Sequence, residues 1–211
     1  VSAQPLPECA VEPLLGTIRV QTAPYNRSCP YYNYGDSLSS QPCLVGCVAT
    51  AIEQLLSYYR YPDALLDSIP GWKTDNYSLE TVPAGSVIDW DDVADLSLWC
   101  GMIVQMKYGP TASAAGLWRA EEPLKQVFGY KTVKVLDRSL YSFDAWHRIL
   151  QNELLSGRPV AYVGYNNTLS GHAFNIDGVN ENGLYHCNWG EGEHHNGYFS
   201  LEHLCQMQPH W

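Results

Sequence analysis

Cys43 and Cys47 lie four residues apart in the segment QPCLVGCVATAIEQLL, but their surroundings differ. Cys47 opens a run in which apolar residues recur at helical spacing, whereas Cys43 lies in a proline-containing loop. A thiol attacks carbonyl groups as the thiolate, which the N–H groups and positive dipole end of a helix N-terminus stabilise. Gly46 has no Cβ and would let a substrate chain pass close to the sulfur. The sequence therefore predicts that Cys47 is a nucleophile.

A nucleophilic thiol also needs a base, and His172 in SGHAFNIDGV is the best placed of the seven histidines. It follows Gly171 at the mouth of a strand-like run, which would fix its backbone beside a loop. Asn188, in LYHCNWGEGE, has a side-chain carbonyl that could accept a hydrogen bond from Nδ1 of His172. Trp189 would shield that hydrogen bond from water. Each residue alone is more often structural, but the order Cys, His, Asn favours acyl transfer by a thiol.

The elements that must position these residues can be read from the periodicity. Helical spacing is found over 47–60, 91–107, 117–128 and 143–155, and strand-like patterns over 16–21, 159–165, 173–179, 184–189 and 198–201. The helices lie mostly in the middle and the strands mostly near the C-terminus. That segregation predicts an α+β fold, with helices packed to one side of an antiparallel sheet.

Composition excludes several classes of function. The net charge of −10 argues against nucleic-acid binding. No apolar run is long enough to span a membrane. The 211 residues are enough for one domain with a buried core.

The chain has seven cysteines, an odd number that in an extracytoplasmic protein usually leaves one free thiol. If Cys47 is that thiol, the other six could form up to three disulfides in an oxidising compartment. Those six are Cys9, Cys29, Cys43, Cys100, Cys187 and Cys205. Their pairing cannot be read from the sequence. The alternative is a cytosolic protein in which all the thiols are reduced and buried.

Four segments resemble the streptopain family of cysteine peptidases, which are papain-like enzymes secreted by bacteria. GCVATAIEQLLSYYRYP resembles the nucleophile motif, and GHAFNIDGVNENGLYHCNWGEG the histidine motif. MKYGPTASAAG, leading to LKQVFGY, resembles the family's Tyr-Gly-Pro stretch and the helix after it. VQTAPYNRSCP resembles the glutamine segment ahead of the nucleophile. The resemblance covers about residues 12–204.

The resemblance implies a papain-like fold with a helical lobe, a sheet lobe and an active-site cleft between them, in one domain over residues 1–211. It implies that Cys47 is the nucleophile and His172 the base and then acid. Gln21 would donate to the oxyanion beside the Cys47 backbone N–H. Asn188 and Trp189 would surround the histidine. The residues expected to line the substrate cleft are Gly46, Tyr108, Gly109, Ser113, Ala114, Ala115, Gly171 and Glu191.

The implied function is that of an endopeptidase that cleaves proteins or peptides without a metal or cofactor and favours a hydrophobic residue two positions before the cut. The family is made with a pro-segment that blocks the cleft until it is removed, so a chain beginning at Val1 is expected to be the mature form. We expect a monomer that is secreted, periplasmic or on the cell surface of a bacterium.

The sequence departs from the family pattern at two places. The family commonly continues Asn-Trp-Gly with Trp-Gly-Gly, whereas this chain has Glu191-Gly192-Glu193. We expect the two carboxylates to favour basic substrate residues nearby. The chain also ends at LEHLCQMQPHW, where the family usually continues through a glycine-rich loop. That wall of the cleft is therefore expected to differ.

Two other readings stay open. Zinc accepts histidine and cysteine ligands, and several such residues crowd the last part of the chain: His186, Cys187, His194, His195, His203 and Cys205. They lack the closely spaced pairs of structural zinc sites. The chain could also be a catalytically impaired relative that acts as a secreted binding module, a reading that the altered residues at 191–193 keep open.

Overall fold

A computed structural model describes residues 10–165, 171–193 and 195–204, without the side chain of His203. The helices within these ranges are α1 (Cys47–Tyr59), α2 (Ala94–Ile103), α3 (Glu121–Gln126), α4 (Phe143–Leu155) and α5 (Leu201–Leu204). The strands are β1 (Tyr31–Asn33), β2 (Leu38–Pro42), β3 (Trp72–Lys73), β4 (Ser78–Leu79), β5 (Val160–Tyr165), β6 (Gly171–Val179), β7 (Tyr185–Asn188) and β8 (Gly197–Phe199). The predicted α+β architecture is confirmed.

The main sheet is antiparallel and has the strand order β5-β6-β7-β8. In its register Gly164 lies opposite His172, so the histidine is part of the ladder and not of a loop. One face of the sheet is covered by α4, whose Trp146 and Leu150 share a buried cluster with Phe174 and Ile176 of β6. The strand that carries His172 is therefore held from both edges and from one face.

Helix α1 packs against α2 on one side and against β5 and β6 on another. For this reason it is buried along most of its length, including the polar residues Thr50, Glu53 and Gln54. Gly46 precedes the helix with a φ of 89°, a backbone conformation that favours glycine. A Cβ at Gly46 would also lie 2.7 Å from Cε of Met106. The position of Cys47 is thus fixed by packing on both sides of its helix.

The predicted strand over residues 16–21 is wrong. The segment has no regular secondary structure, and its polar groups bond to several different elements instead of to one neighbouring strand. Thr17 donates its hydroxyl to Gln54, Arg19 forms an ion pair with Glu53 at 2.9 Å, and the Gln21 carbonyl accepts the N–H of Val45. The Glu53 side chain is only 1% exposed, so it needs that partner. The segment is held by α1 and the loop before it.

The other predicted elements differ from the structure mainly in extent. The helix expected over 91–107 is the shorter α2, and the one expected over 117–128 is a 3₁₀ turn (Leu117–Ala120) followed by α3. The hairpins β1–β2 and β3–β4 lie in segments that show no strand pattern in the sequence. No helix within the described ranges is long and apolar enough to cross a bilayer.

The disulfides predicted from the cysteine count need correction. Cys29, Cys43, Cys100 and Cys187 are free thiols and are buried, while Cys9 and Cys205 lie outside the described residues. The first three pack in the core around α1 and α2, and Cys187 packs in the core beneath the sheet. They behave as small apolar side chains. Burial raises the pKa of the Cys29 thiol to about 12, which makes it a poor nucleophile for thiol exchange.

We predict that the five described cysteines are thiols in the isolated protein. Alkylation after unfolding without reductant should modify Cys29, Cys43, Cys47, Cys100 and Cys187, as mapped by peptide mass spectrometry. The thermal unfolding midpoint should not change with added reductant. A disulfide-linked peptide containing any of these residues would contradict this expectation.

Candidate active site

The Cys47 thiol lies at the first residue of α1 and is partly buried. Burial raises the pKa of a thiol, because it removes water from the thiolate. Here the hydrogen bond and charge of His172 act in the opposite direction, with further hydrogen bonds from the N–H groups of Ala173 and Val48. The net effect is a Cys47 pKa below the ordinary value. The thiolate is stabilised by a helix N-terminus and by the strand that carries the histidine.

His172 is oriented by the backbone of the segment that follows β7. Its Nε2 donates to the carbonyl oxygen of Trp189 at 2.9 Å, which leaves Nδ1 to face Cys47. Burial lowers the pKa of His172, but the hydrogen bond and charge of Cys47, the Trp189 carbonyl and the charge of Glu191 raise it above its ordinary value. The two shifts favour a thiolate–imidazolium pair. The Trp189 indole lies 6.1 Å from the imidazole, centroid to centroid, and covers it.

Asn188, expected to accept a hydrogen bond from Nδ1 of His172, bonds to two other residues. Asn188 is buried, donates its Nδ2 to the carbonyl oxygen of Thr17 at 2.8 Å, and accepts the N–H of Gly190 at 3.2 Å. Both ends of its amide are therefore used to hold the turn after β7. The orienting acceptor is the main-chain carbonyl of the next residue, Trp189, and the ring nitrogen it binds is Nε2.

A cleft of about 410 Å³ opens beside Cys47. Its lining residues are Val20, Gln21, Thr22, Leu44, Cys47, Thr111, Ala112, Ser113 and Glu191. The sequence pointed to four of these, namely Gln21, Cys47, Ser113 and Glu191. The stretch over residues 108–116, expected from the resemblance to line the cleft, also includes Thr111 and Ala112. The sequence missed Val20, Thr22 and Leu44, although each is a near neighbour in sequence of a residue it did identify.

The other predicted cleft residues do not line this cavity. They are Gly46, Tyr108, Gly109, Ala114, Ala115 and Gly171. Tyr108 is buried in the core, and its hydroxyl donates to the carbonyl oxygen of Leu98, so its side chain supports the cleft wall from beneath. Gly46 faces Met106 and Ser113, so its missing Cβ makes room for the protein's own core.

The wall that carries Ser113 is joined to the segment before the nucleophile. The Ser113 hydroxyl donates to the carbonyl oxygen of Leu44 at 2.7 Å and accepts the N–H of Gly109 at 3.1 Å. The N–H of Leu44 in turn donates to the Gly109 carbonyl. These bonds fix one wall of the cleft relative to Cys47.

The opposite wall brings Gln21 and Glu191 together. Nε2 of Gln21 donates to Oε1 of Glu191, in the turn that follows Trp189. Glu193 is exposed and does not line the cleft. A preference for basic substrate residues would therefore depend on Glu191 more than on Glu193.

Within the described ranges no group of three or more histidine, cysteine or acidic side chains could hold a metal ion. His186 instead bonds through Nδ1 to the buried Asp177 at 2.7 Å. His194, the side chain of His203 and Cys205, which belong to the zinc hypothesis, lie outside the described residues.

Comparison with known proteins gives a family and several relatives. The model of the Peptidase C10 family matches residues 20–199. Streptopain of Streptococcus pyogenes is 31% identical over 80% of this chain and 48% of its own length. The thiol protease/hemagglutinin PrtT of Porphyromonas gingivalis is 31% identical over 79% of this chain and 21% of its own length. The chain thus spans about half the length of the streptopain it matches, or less for PrtT.

Solved structures agree with these sequence matches. The active wild-type interpain A cysteine protease of Prevotella intermedia is 29% identical, with a TM-score of 0.79, and the match covers 91% of this chain and 86% of that one. A mutant fragment of prointerpain A from the same organism is 30% identical, with a TM-score of 0.80, over 92% of this chain and 66% of that one. The similarity extends over nearly the whole of the present chain.

We predict that replacing His172 with alanine raises the pKa of Cys47, because burial then acts on the thiolate with less compensation. The rate of alkylation by iodoacetamide as a function of pH measures this. The wild-type rate should already be high at neutral pH, below the ordinary thiol pKa. The His172→Ala rate should be low at neutral pH and rise only in alkali.

An identical pH profile in the two proteins would show that His172 does not stabilise the thiolate. His147→Ala is the matched control, because this buried histidine lies in α4 and belongs to the core beneath the sheet. Its alkylation profile should follow that of the wild type.

Proposed function

The chain belongs to the Peptidase C10 family, and from this membership we propose that it is a cysteine endopeptidase that hydrolyses peptide bonds of proteins. The observation that carries the proposal is the pair formed by Cys47 and His172. The thiol lies at a helix N-terminus, and the imidazole is held toward it by the carbonyl of Trp189. Cys47 lines a cleft large enough for part of an extended peptide, and His172 is not among the residues that line it. The Asn188 side chain supports the turn that follows β7.

In the proposed reaction the Cys47 thiolate attacks the carbonyl carbon of the scissile peptide. The Cys47 backbone N–H and Nε2 of Gln21 donate to the oxyanion that forms. As the C–N bond breaks, Nδ1 of His172 gives its proton to the leaving amine. His172 then takes a proton from water, whose oxygen attacks the thioester. The acid is released as the Cys47 thiolate leaves, and the thiolate–imidazolium pair is restored.

The substrate is proposed to bind as an extended chain along the cleft. Val20 and Leu44 provide apolar surface there, beside Thr111 and Ala112. This surface is consistent with the hydrophobic residue that the family resemblance implies two positions before the cut. Oε2 of Glu191 remains available for a basic substrate residue, because Oε1 is already bonded to Gln21.

We also propose that the protein is secreted by a bacterium, or held in its periplasm or at its surface, and that a pro-segment restrains it before activation. The support is the relationship to prointerpain A and streptopain. The peptidase unit is proposed to be one domain and a monomer.

Cys47→Ala and His172→Ala are each expected to lower kcat/KM for a fluorogenic peptide by roughly 10⁴-fold or more, since nucleophile and base act as a unit. An epoxide thiol inhibitor should form one adduct, and peptide mapping should place it on Cys47. Cys43→Ala is the matched control, because this buried thiol lies four residues earlier and outside the cleft. It should retain hydrolysis and labelling. Hydrolysis that persists in Cys47→Ala would show that Cys47 is not the nucleophile. Wild-type protein that neither cleaves nor labels at Cys47 would favour the binding-module hypothesis.

Glu191→Gln is expected to reduce the cleavage of peptides with Lys or Arg next to the scissile bond by about fivefold to tenfold relative to neutral peptides, as expected for loss of one partly exposed ion pair. A peptide-library profile measures the change. Glu193→Gln removes the same charge two residues away and should leave the profile unchanged. Equal profiles for Glu191→Gln and wild type would refute the preference.

A further inference from the structure

We propose that Glu191 is a positioning residue for the oxyanion hole: its carboxylate fixes the Gln21 amide in the orientation that presents N–H to the substrate oxygen. This inference rests on the proposed peptidase function and adds a role within the protein to a residue expected only to contact substrate. The observation is the hydrogen bond from Nε2 of Gln21 to Oε1 of Glu191.

A glutamine amide needs such a partner, because its two ends are nearly equal in size and its terminal torsion is broad. With Nε2 toward the scissile carbonyl, the amide stabilises the oxyanion. If the Gln21 amide rotated by half a turn, its Oε1 would take the place of Nε2 and repel the oxyanion. A carboxylate only accepts hydrogen bonds, so it binds the Nε2 end and not the Oε1 end. One N–H is then used by Glu191, and the second remains for another acceptor.

The backbone holds the two side chains side by side. The N–H of Gly192 donates to the carbonyl oxygen of Arg19 at 2.8 Å, which joins the turn carrying Glu191 to the segment carrying Gln21. The Gln21 carbonyl accepts the N–H of Val45 at 2.9 Å, which joins the same segment to the residues before Cys47.

The turn that carries Glu191 is anchored to its surroundings at several points. Gly190 and Gly192, on either side of Glu191, have φ of 69° and 81°, values at which other residues are strained. A Cβ on Gly190 would lie 2.9 Å from Cγ2 of Thr50, so the turn lies directly on α1. The N–H of Trp189 also donates to Oδ1 of Asn196 at 3.0 Å. The carboxylate is therefore placed by a turn that is fixed to the same helix as Cys47.

The Glu191 carboxylate acts both as a hydrogen-bond acceptor and as a charge. The substitutions Glu191→Ala and Glu191→Gln separate these two effects. As an acceptor it orients Gln21, and glutamine at this position would still offer an acceptor oxygen. As a charge it favours the imidazolium of His172. Among the described residues no lysine or arginine forms an ion pair with Glu191. Its hydrogen-bond acceptors and its charge therefore act on the groups of the cleft.

The test measures kcat on a peptide without charged residues near the cut, at saturating concentration. Glu191→Ala should lower kcat by about tenfold to a hundredfold with little change in KM, less than the 10²–10³-fold typical for loss of an oxyanion donor. Glu191→Gln should restore most of that loss, to within about threefold of wild type. Glu193→Ala, which removes a neighbouring exposed carboxylate, controls for charge and turn stability.

A double-mutant cycle tests whether Glu191 affects kcat through Gln21. Gln21→Ala should lower kcat by about 10²–10³-fold, and adding Glu191→Ala should then lower it by no more than about twofold further, because the residue to be positioned is gone. The side-chain amide NMR signals of Gln21 should move in Glu191→Ala and stay in place in Glu193→Ala. That readout does not require turnover.

Three results would overturn the inference: unchanged kcat in Glu191→Ala, a full effect of Glu191→Ala in the Gln21→Ala background, or Gln21 amide signals that do not respond to Glu191→Ala. Failure of the proposed function looks different, since wild-type protein would then show no hydrolysis that depends on Cys47. In that case the amide signals alone decide whether Glu191 orients Gln21.

Discussion

The structure depends on the need to keep a thiolate in a site that is largely shielded from water. Burial alone would leave Cys47 protonated, so the site must supply compensating groups within hydrogen-bonding distance. Strand β6 supplies two of them from adjacent residues, the imidazole of His172 and the N–H of Ala173, while α1 supplies the N–H of Val48. The contact between α1 and β6 is thus both the centre of the fold and the source of reactivity.

The side of the site that carries Gln21 shows that a side chain can be positioned without regular secondary structure. The segment that carries Gln21 has no strand partner, yet its residues are bonded to α1 and to the loop before Cys47. Removing Arg19 from its pair with Glu53 would be costly, because it would leave a buried carboxylate without its cationic partner. The nucleophile and the glutamine are held by one helix and therefore keep their relative position.

The sequence predicted those parts of the site that depend on local context. The helical spacing after Cys47, the strand that follows His172, and the α+β order of elements were all visible as periodic patterns. The acceptor for the imidazole was not, because every residue has a backbone carbonyl and only the turn after β7 brings that of Trp189 into place. The odd number of cysteines led to a wrong prediction of disulfides, because a buried thiol packs like a small apolar side chain. Whether the number of cysteines is odd or even says nothing about how they pack. The segment over residues 16–21 looked like a strand because its apolar and polar residues alternate. Such alternation indicates which side chains are buried, but it does not identify a hydrogen-bonding partner for the backbone.

The use of a main-chain carbonyl to hold the imidazole affects how the site tolerates mutation. All twenty amino acids carry that carbonyl, so no substitution at position 189 deletes the acceptor itself. A substitution there can act only by moving the turn or by uncovering the ring that Trp189 shields. A change of residue at position 189 would therefore be an unsafe guide to loss of activity, whereas Asn188 holds the turn itself through both ends of its amide. The geometry of the turn, set by Gly190 and by Asn196, is the better criterion.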